Sequence, residues 1–253
     1  MSTPFAGALT DRVAVVTGGA GGIGAGICEV LARAGARVAI GFRDSEEKAR
    51  ALAHRLPGGP HRIVRMPVTD SAALAACARE LEGTWARCDL LVNCAGTTRF
   101  VPHADLDGLT DDLIDSILAT NVRGPFATVR AFRTLLERSS SALVVNVSSV
   151  AARIAMGSNV IYCASKAALD NMTRSLARAL APGIRVASVA PGLVETGFIA
   201  GLDPEWLEQQ AAKTALGRLA TPEEVGLAVL AAAVGMPCST GMIVPVDGGR
   251  SLA

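Results

Sequence analysis

A tyrosine and a lysine four positions apart are the side chains in this sequence best suited to proton transfer. Residues 162–166 read YCASK, and Tyr162 is the only tyrosine among 253 residues. A spacing of four places Tyr162 and Lys166 on one face of a helix. A free phenol titrates at about pH 10, and a neighbouring ammonium group favours its ionised form. The pair therefore indicates a general acid or base, although such a pair alone is common on helix surfaces.

A glycine-rich segment near the N-terminus could bind a phosphate group. Residues 17–24 read TGGAGGIG, directly after an apolar run and at the start of a predicted helix. Glycines allow a tight turn and a close approach to a phosphate, and a helix N-terminus supplies free N–H groups. Gly24 is the last glycine of two possible motifs, G-x-G-x-x-G starting at Gly19 and G-x-x-x-G-x-G starting at Gly18. The segment indicates a dinucleotide site, with a purely structural turn as the alternative.

Short apolar runs alternate with longer helical patterns along the chain. The runs are continuous in Val, Ile, Leu and Ala, which is typical of strands buried on both faces of a parallel sheet. We therefore predict an α/β fold with a doubly wound parallel sheet of about seven strands, helices on both faces, and one domain over residues 1–253. The predicted strands are Arg12–Thr17, Arg37–Phe42, Arg62–Met66, Leu90–Asn93, Leu143–Val147, Arg185–Val189 and Met242–Val246. The predicted helices are Gly24–Ala34, Ser45–Arg55, Ser71–Thr84, Thr110–Glu137, Ile161–Ala181 and Pro222–Val234.

The segment from 193 to 216 interrupts this alternation. It follows Pro191-Gly192 and joins a predicted strand to the last predicted helix. In open α/β sheets, ligands bind outside the carboxyl ends of the strands. We interpret the segment as a mobile lid, with an ordinary surface helix as the alternative.

Composition and charge exclude several classes of protein. Lys and Arg number 24 and Asp and Glu 23, so the net charge of +1 leaves no strongly basic surface for nucleic acid. The six cysteines form no C-x-x-C pair and the three histidines show no metal spacing, so we expect free thiols and no metal. The N-terminus shows no signal-peptide pattern, and glycines and prolines interrupt the charge-free run 225–246. We expect a cytoplasmic protein that does not bind a membrane.

Several short motifs follow one another at characteristic spacings. In chain order they are Thr17-Gly18-x-x-x-Gly22-x-Gly24, Asn93-Cys94-Ala95-Gly96, Asn121, Ser148-Ser149, Tyr162-x-x-x-Lys166, Pro191-Gly192 and Val246-Asp247-Gly248-Gly249. Together they resemble the single-domain branch of the short-chain dehydrogenase/reductase family, and in particular its 3-oxoacyl-(acyl-carrier-protein) reductase-like carbonyl reductases. The resemblance covers residues 11–249 and implies a Rossmann-type fold. It selects the glycine register that begins at Gly18, and it selects Ser149, 13 residues before Tyr162, over Ser148.

The resemblance implies four catalytic residues. Tyr162 would protonate a substrate carbonyl oxygen, or act as the base in reverse, and Ser149 would hydrogen-bond the same oxygen. Lys166 would support the tyrosine and bind the nicotinamide ribose. Asn121 would bend its helix and hold a water that relays protons to Lys166, with a solvent-facing polar residue as the alternative. The implied cofactor-binding residues are Gly18, Gly22, Ile23, Gly24, Arg43, Val68, Asn93, Ala95, Gly96, Tyr162, Lys166, Pro191, Gly192, Val194 and Thr196.

Two positions depart from the family pattern. Cys94 stands where the family often has a second asparagine, and we interpret it as a small buried residue and not as a nucleophile. Pro67 stands where the family often has an aspartate that contacts adenine. The sequence therefore defines the adenine pocket less well than the nicotinamide end.

The end of the second predicted strand bears on the choice of cofactor. NAD-binding folds place an acid there to accept hydrogen bonds from the ribose hydroxyls, whereas this chain has Phe42. Arg43 follows, and a guanidinium matches the geometry of a phosphate. We expect Asp44 to lie near the N-terminus of the next helix; turned inward, it would favour NAD. NADP(H) is therefore the preferred cofactor, with NAD(H) possible.

The sequence predicts an NADP(H)-preferring oxidoreductase that interconverts a ketone and a secondary alcohol by hydride transfer. The alternatives are a 3-oxoacyl-carrier-protein reductase and a nucleotide-sensing relative without turnover. Segments 138–141 and 181–183 show few of the basic residues common in carrier-protein reductases, which weakens the first alternative. We expect a small-molecule carbonyl or alcohol substrate, no nucleic-acid partner and a homotetramer. The candidate cleft residues are Arg99, Val101, Arg153, Met156, Leu193, Phe198 and Trp206.

Overall fold

A seven-stranded sheet forms the centre of the computed structural model, which describes residues 5–197, 201 and 203–252. The strand order is β3-β2-β1-β4-β5-β6-β7, and every neighbouring pair is parallel. The predicted α/β class with a doubly wound parallel sheet is confirmed. The strands are β1 Val13–Thr17, β2 Arg37–Phe42, β3 Arg62–Arg65, β4 Leu90–Asn93, β5 Ala142–Val147, β6 Ile184–Pro191 and β7 Ile243–Val246.

The helices of the described residues follow the predicted ones closely, with one correction. The single long helix predicted over Thr110–Glu137 is wrong, because a π-helical turn at Ala119–Arg123 divides it into two α-helices. A short helix at Ala151–Ile154 was not predicted, and a helix at Pro204–Ala212 lies in the segment 193–216, for which a surface helix was the alternative. The helices are α1 Gly22–Arg33, α2 Glu46–Arg55, α3 Ser71–Trp85, α4 Asp111–Leu118, α5 Gly124–Glu137, α6 Ala151–Ile154, α7 Val160–Leu180, α8 Pro204–Ala212 and α9 Pro222–Val234, followed by a 3₁₀ turn at Arg250–Leu252.

Two hydrophobic cores lie on the two faces of the sheet. Alternate residues of β1 divide between them, since Ala14 and Val16 join the core under α1, α2 and α9. Val13 and Val15 join the core under α3, α5 and α7. Each fully buried Val, Leu or Ile side chain stabilises the fold by about 1.5–3 kcal/mol. Burial on both faces is the physical reason for the uninterrupted apolar runs.

The strand order reverses between β1 and β4, which opens a crevice at their carboxyl ends. Thr17 and Asn93 are the paired last residues of these two strands. In doubly wound sheets this reversal is where ligands bind. The loops that follow β1, β4 and β5 therefore meet at one edge of the sheet, and they carry the motifs singled out above.

The segment 193–216 is described only in part. Val194 forms an isolated parallel bridge with Ala220, and α8 has no buried residue. Phe198, proposed as a cleft residue, lies outside the described residues. The interpretation of this segment as a lid stays a prediction. Among the described helices, none is both long and apolar enough to cross a membrane.

Candidate active site

The loop between β1 and α1 requires glycine at two positions for steric reasons. Gly18 has a φ of +63°, and a Cβ atom there would lie 2.9 Å from Ala95 Cα. A Cβ atom on Gly24 would lie 2.2 Å from the carbonyl oxygen of Gly18. Both contacts involve backbone atoms, which cannot move aside as a flexible side chain can. The loop therefore keeps a tight turn directly below the start of α1.

The N-terminus of α1 is open to an anion. Gly21 caps the helix without a side-chain hydrogen bond, and the first turn carries no acidic residue. The first amides of a helix lack partners within it and carry a partial positive charge. A Cβ atom on Gly22 would lie 2.7 Å from Thr196 Cβ, so the loop after β6 packs on this glycine. Ile23 packs against the core beneath. These residues fit the diphosphate of a dinucleotide.

Thr17 joins the glycine loop to the loop after β4, a role that sequence reasoning missed. Its Oγ1 atom accepts hydrogen bonds from the backbone N–H of Cys94, at 3.0 Å, and of Ala95, at 3.1 Å.

Loss of solvent around the Cys94 thiol raises its pKa to about 12. A thiol of that pKa is protonated at neutral pH, which agrees with the structural interpretation of Cys94.

A row of buried polar side chains crosses the sheet below the site, and the sequence analysis did not identify it. Asn93 Nδ2 donates to Asn146 Oδ1 at 2.9 Å, and Asn146 Nδ2 donates to Thr173 Oγ1 at 2.8 Å. The hydroxyls of Thr173 and Ser188 are 2.8 Å apart. All four residues are at most 2% exposed. Polar groups inside otherwise apolar strands were the available signal, and their hydrogen bonds fix α7 against β4, β5 and β6.

Tyr162 and Lys166 face the crevice from the first turns of α7. Tyr162 is partly buried, whereas Lys166 is only 6% exposed. Lys166 Nζ donates a hydrogen bond of 2.8 Å to the carbonyl oxygen of Val147 at the end of β5. The same nitrogen lies 5.7 Å from the centroid of the Tyr162 ring. The spacing of four has therefore placed the two side chains together, with the ammonium held by backbone.

Asn121 lies in the π-helical turn and is 1% exposed, so the solvent-facing alternative is wrong. Its Oδ1 atom accepts from Thr97 N at 2.9 Å. Its Nδ2 atom donates to Thr97 O at 3.0 Å and to Ser165 Oγ at 3.1 Å. A Cβ atom on Gly96 would lie 3.5 Å from Asn121 Oδ1 and 3.8 Å from Lys166 Nζ. The π turn thus brings Asn121 beside both the β4 loop and α7.

The two adjacent serines after β5 have different surroundings. Ser148 Oγ is directed at the carbonyl oxygen of Lys166, at 3.4 Å. Ser149 Oγ accepts a hydrogen bond from the backbone N–H of Ala151 at 3.1 Å. Ser149 also lines a cavity of about 500 Å³ that extends toward Ile243 and Pro245 of β7 and does not include Tyr162 or Lys166. Ser149 therefore keeps its hydroxyl proton available for a ligand oxygen.

The end of β2 is followed by two exposed charged residues. Phe42 is the last residue of β2 and is 7% exposed, with its ring in the core. Arg43 Nε lies 2.5 Å from Asp44 Oδ2, and both side chains are largely exposed. Asp44 therefore pairs with Arg43, and the acids in the first turn of α2 are Glu46 and Glu47. Asp44 itself lies two residues before α2 begins at Glu46, so the expectation that it lies near the N-terminus of that helix is confirmed.

The remaining residues predicted to contact the cofactor lie around the same crevice. A Cβ atom on Gly124 would lie 2.9 Å from Val68 Cγ2, so the Val68 side chain packs on α5. Pro191 O accepts from Val150 N at 2.8 Å, and Gly192 N donates to Val246 O at 3.0 Å. The end of β6 is thereby joined to the loops after β5 and β7.

The candidate cleft residues divide into accessible and inaccessible ones. Val101 is 4% exposed, so its assignment to the cleft is wrong; Phe100, its neighbour, is 73% exposed instead. Met156 is 62% exposed and Trp206 39% exposed. Leu193 is partly buried, and Arg153 is exposed and lines the same cavity as Ser149. Arg99 donates from its guanidinium to Gly108 O at 2.9 Å.

Comparison with known proteins defines the class. The family model described as enoyl-(acyl carrier protein) reductase matches residues 18–251. The chain is 37% identical to cis-4-hydroxycyclohexanecarboxylate dehydrogenase of Sinomonas cyclohexanicum, covering 96% of this chain and 97% of that protein. It is 36% identical to the rhamnolipid-biosynthesis 3-oxoacyl-(acyl-carrier-protein) reductase of Pseudomonas aeruginosa, covering 96% and 98%. The structure of a short-chain dehydrogenase/reductase from Serratia marcescens superposes with a TM-score of 0.87 at 32% identity, covering 96% and 99%.

This chain belongs to the short-chain dehydrogenase/reductase family. It is an oxidoreductase that uses a nicotinamide dinucleotide to interconvert a ketone and a secondary alcohol. The residues present fit such a cofactor, because the glycine loop leaves no room for side chains and the N-terminus of α1 is open.

Proposed function

We propose that this chain is an NADP(H)-preferring reductase of small carbonyl compounds, with Tyr162 as the general acid. The observation that carries the proposal is the buried Lys166 ammonium, bound to Val147 O at 2.8 Å and 5.7 Å from the ring of Tyr162. Lys166 thus places a positive charge beside the phenol of Tyr162, the group proposed to transfer the proton. The bound nicotinamide supplies or accepts the hydride, which no side chain can do.

Ser149 and Lys166 each have a free N–H or O–H group for their proposed roles. Ser149 Oγ accepts from Ala151 N, so its O–H remains to donate to the substrate carbonyl oxygen beside Tyr162. Lys166 uses one of its three N–H groups on Val147 O, which leaves two for the ribose hydroxyls and the tyrosine. Asn121 is proposed to hold the proton-relaying water, and its amide fixes the turn through Thr97.

We expect NADP(H) to be preferred because the last residue of β2 has no acceptor for ribose hydroxyls and is followed by an exposed cation. Phe42 cannot bind ribose hydroxyls, and the exposed Arg43 is free to rotate toward a 2′-phosphate. Asp44 competes for the same guanidinium, so the expected preference is moderate. The proposed cofactor contacts otherwise remain those implied by the family resemblance.

The test of the proposal is Tyr162→Phe, assayed by reduced-nicotinamide absorbance with 2,3-butanedione and 1-phenyl-1,2-propanedione. We expect kcat to fall by about 100-fold or more, because general acid catalysis typically contributes 10²–10⁴-fold, with the cofactor Kd unchanged. Activity within about tenfold of wild type would remove Tyr162 from the mechanism. Cofactor binding without turnover by the wild type on any carbonyl compound would favour a nucleotide sensor.

A carrier-protein substrate is the second candidate, favoured by the name of the Pseudomonas relative. Against it, Arg138 is already engaged, donating to Ala86 O at 3.0 Å and pairing with Glu82. Comparing a 3-oxoacyl group on acyl carrier protein with the same group on a small thioester decides between them. A much higher kcat/KM on the carrier protein identifies it as the partner.

We further propose a cytoplasmic homotetramer. Edge strand β7 is only partly buried, and Leu118, Phe126 and Val160 are each 38–46% exposed on helices, as surfaces between copies require. All six cysteines are free thiols, as in a reducing compartment. Light scattering of the purified protein tests the assembly state, and cell fractionation tests the location.

A further inference from the structure

Asn159 lies at the first turn of α7 and is fully buried. It is the N-cap of the helix, since its Oδ1 atom accepts a hydrogen bond of 2.6 Å from the backbone N–H of Tyr162. The cap therefore acts on the residue proposed to transfer the proton. Neither the sequence motifs nor the proposed mechanism assigns a role to Asn159.

The amide nitrogen of Asn159 binds the loop after β4. Nδ2 donates to the carbonyl oxygen of Arg99 at 2.7 Å and contacts Thr98 Oγ1 at 3.2 Å. One side chain thus connects the start of the tyrosine-bearing helix with residues 60 positions earlier in the chain. Each of its polar atoms has a partner, as a fully buried amide requires.

Further hydrogen bonds hold the same two loops together. The hydroxyls of Thr98 and Ser158 form a hydrogen bond. Val101 N donates to Ser158 O at 2.9 Å, and His103 Nε2 lies 3.3 Å from Gly157 O. Segments 98–103 and 157–159 are therefore fixed side by side, and both Asn159 and Val101 of this set are buried.

We propose that Asn159 is a positioning residue, which fixes the loop after β4 relative to Tyr162 and so determines which carbonyl substituents the crevice accepts. The inference rests on the proposed function. Phe100 lies between Arg99 and Val101, which both bind the other segment, and it is 73% exposed. Met156 precedes Gly157 and is 62% exposed. Phe100 and Met156 belong to the two hydrogen-bonded segments, so these hydrogen bonds determine the distance between the two apolar side chains. An apolar substituent beside the reacting carbonyl would be received between them.

Asparagine suits this role because it has an acceptor and a donor on one short side chain. Serine, threonine and aspartate also cap helices, but none presents an amide N–H pair toward the Arg99 carbonyl. Aspartate would keep the bond from Tyr162 N and would place a carboxylate against the Arg99 carbonyl oxygen. The variant Asn159→Asp therefore keeps the helix cap and removes the hydrogen bond that joins the two loops.

The experiment measures kcat, KM and cofactor Kd for Asn159→Asp with the two diketones, which differ only by phenyl in place of methyl. Small displacements of reacting groups are costly, so we expect kcat/KM for 1-phenyl-1,2-propanedione to fall by about tenfold or more. The fall with 2,3-butanedione should be several-fold smaller, with cofactor Kd within about twofold of wild type. Equal kcat/KM to wild type on both diketones, or equal losses on both, would overturn the inference.

Two further variants keep the test decisive if Asn159→Asp folds poorly. Thr98→Val preserves the shape of the side chain and removes its hydroxyl from the connection. It should therefore shift the ratio of kcat/KM values for the two diketones in the same direction as Asn159→Asp, by a smaller factor. Asp70→Ala removes the N-cap bonds of α3, which carries none of these loops, and should lower the melting temperature without changing the ratio. An unchanged kcat/KM ratio in Thr98→Val would also overturn the inference, as would a change in Asp70→Ala as large as that in Asn159→Asp.

The inference and the proposed function fail separately. Retained activity in Tyr162→Phe contradicts the proposed function, whatever Asn159→Asp does. Loss of activity in Tyr162→Phe together with an unchanged substrate ratio in Asn159→Asp contradicts only the role of Asn159.

Discussion

At the carboxyl ends of β4 and β5, Lys166 and Asn121 are 6% and 1% exposed and bind backbone atoms of neighbouring segments. At the carboxyl end of β2, the Arg43 and Asp44 side chains are 69% and 65% exposed and, within the described part of the chain, pair only with each other. The first region is thus rigidly organised before any ligand binds. The second is a pair of exposed charges that can rearrange.

This difference indicates which properties of the enzyme are hard to change. A buried polar group that loses its partner costs about 1–3 kcal/mol, and more when it is charged. An exposed ion pair contributes about 0–1 kcal/mol and is screened by salt. We therefore expect the proton-transfer end to tolerate little substitution, whereas the preference between NADP and NAD should respond to single exposed charges.

The largest effect is expected for Lys166→Ala at the buried end. It removes the cation beside Tyr162 and the proposed ribose contacts, so kcat should fall by about 100-fold and the cofactor Kd should rise by about tenfold. Steady-state kinetics and fluorescence titration with NADPH measure the two constants. Lys48→Ala, an exposed lysine of α2, is the matched control and should change neither. An unchanged cofactor Kd in Lys166→Ala would remove the ribose contact.

Gly24→Ala should be next, because it disturbs the cofactor loop from within. The new Cβ atom would lie 2.2 Å from Gly18 O, so the loop must shift at a cost of about 1–3 kcal/mol. We expect a lower melting temperature and a cofactor Kd raised by about tenfold. Gly83→Ala in α3, where a Cβ atom would meet nothing within 4 Å, is the control and should be neutral or slightly stabilising. Equal changes of melting temperature and cofactor Kd in Gly24→Ala and Gly83→Ala would contradict the steric argument.

Asp44→Asn and Arg43→Ala should act in opposite directions at the exposed end. Neutralising Asp44 releases the guanidinium and removes a negative charge that repels a 2′-phosphate, so the kcat/KM ratio of NADPH to NADH should rise by roughly threefold to tenfold. Removing Arg43 should lower that ratio. Both shifts should shrink at high salt. A wild type that prefers NADH, or an Arg43→Ala variant with the same ratio, would contradict the cofactor assignment.

The smallest effect concerns a carboxyl group buried in α7. Asp170 is 9% exposed, and its Oδ1 atom has no hydrogen-bond partner among the residues that the structure describes. Burial raises the pKa of its carboxyl group. An acid whose pKa is higher in the folded state stabilises the fold fully below its unfolded pKa, and that contribution is lost as the pH rises through the folded pKa. Asp170→Asn should therefore raise stability relative to wild type by about 1 kcal/mol at pH 8 and less at pH 4. Melting temperatures that differ equally at both pH values would refute this.

Local patterns predicted the fold and the core of the site well. Continuous apolar runs located all seven strands, because burial on both faces leaves no polar alternation. The spacing of four predicted the proximity of Tyr162 and Lys166, since one helical turn determines it. The family resemblance implied a bend at Asn121, and the π turn at Ala119–Arg123 contains that residue, whereas helical periodicity alone did not divide Thr110–Glu137 there. The Arg43–Asp44 pair was missed because neighbouring exposed side chains have no pattern that specifies their orientation.

By itself the sequence determined the elements of this protein, their order and the proton-transfer pair, because strand burial, helix periodicity and glycine geometry act over a few residues. Only the tertiary structure decided which distant side chains meet. Asn159 binds a carbonyl 60 positions away, and the buried row beginning at Asn93 reaches Asn146, 53 positions away. Such contacts depend on strand register and loop path, which follow from the packing of the whole sheet and not from local spacing.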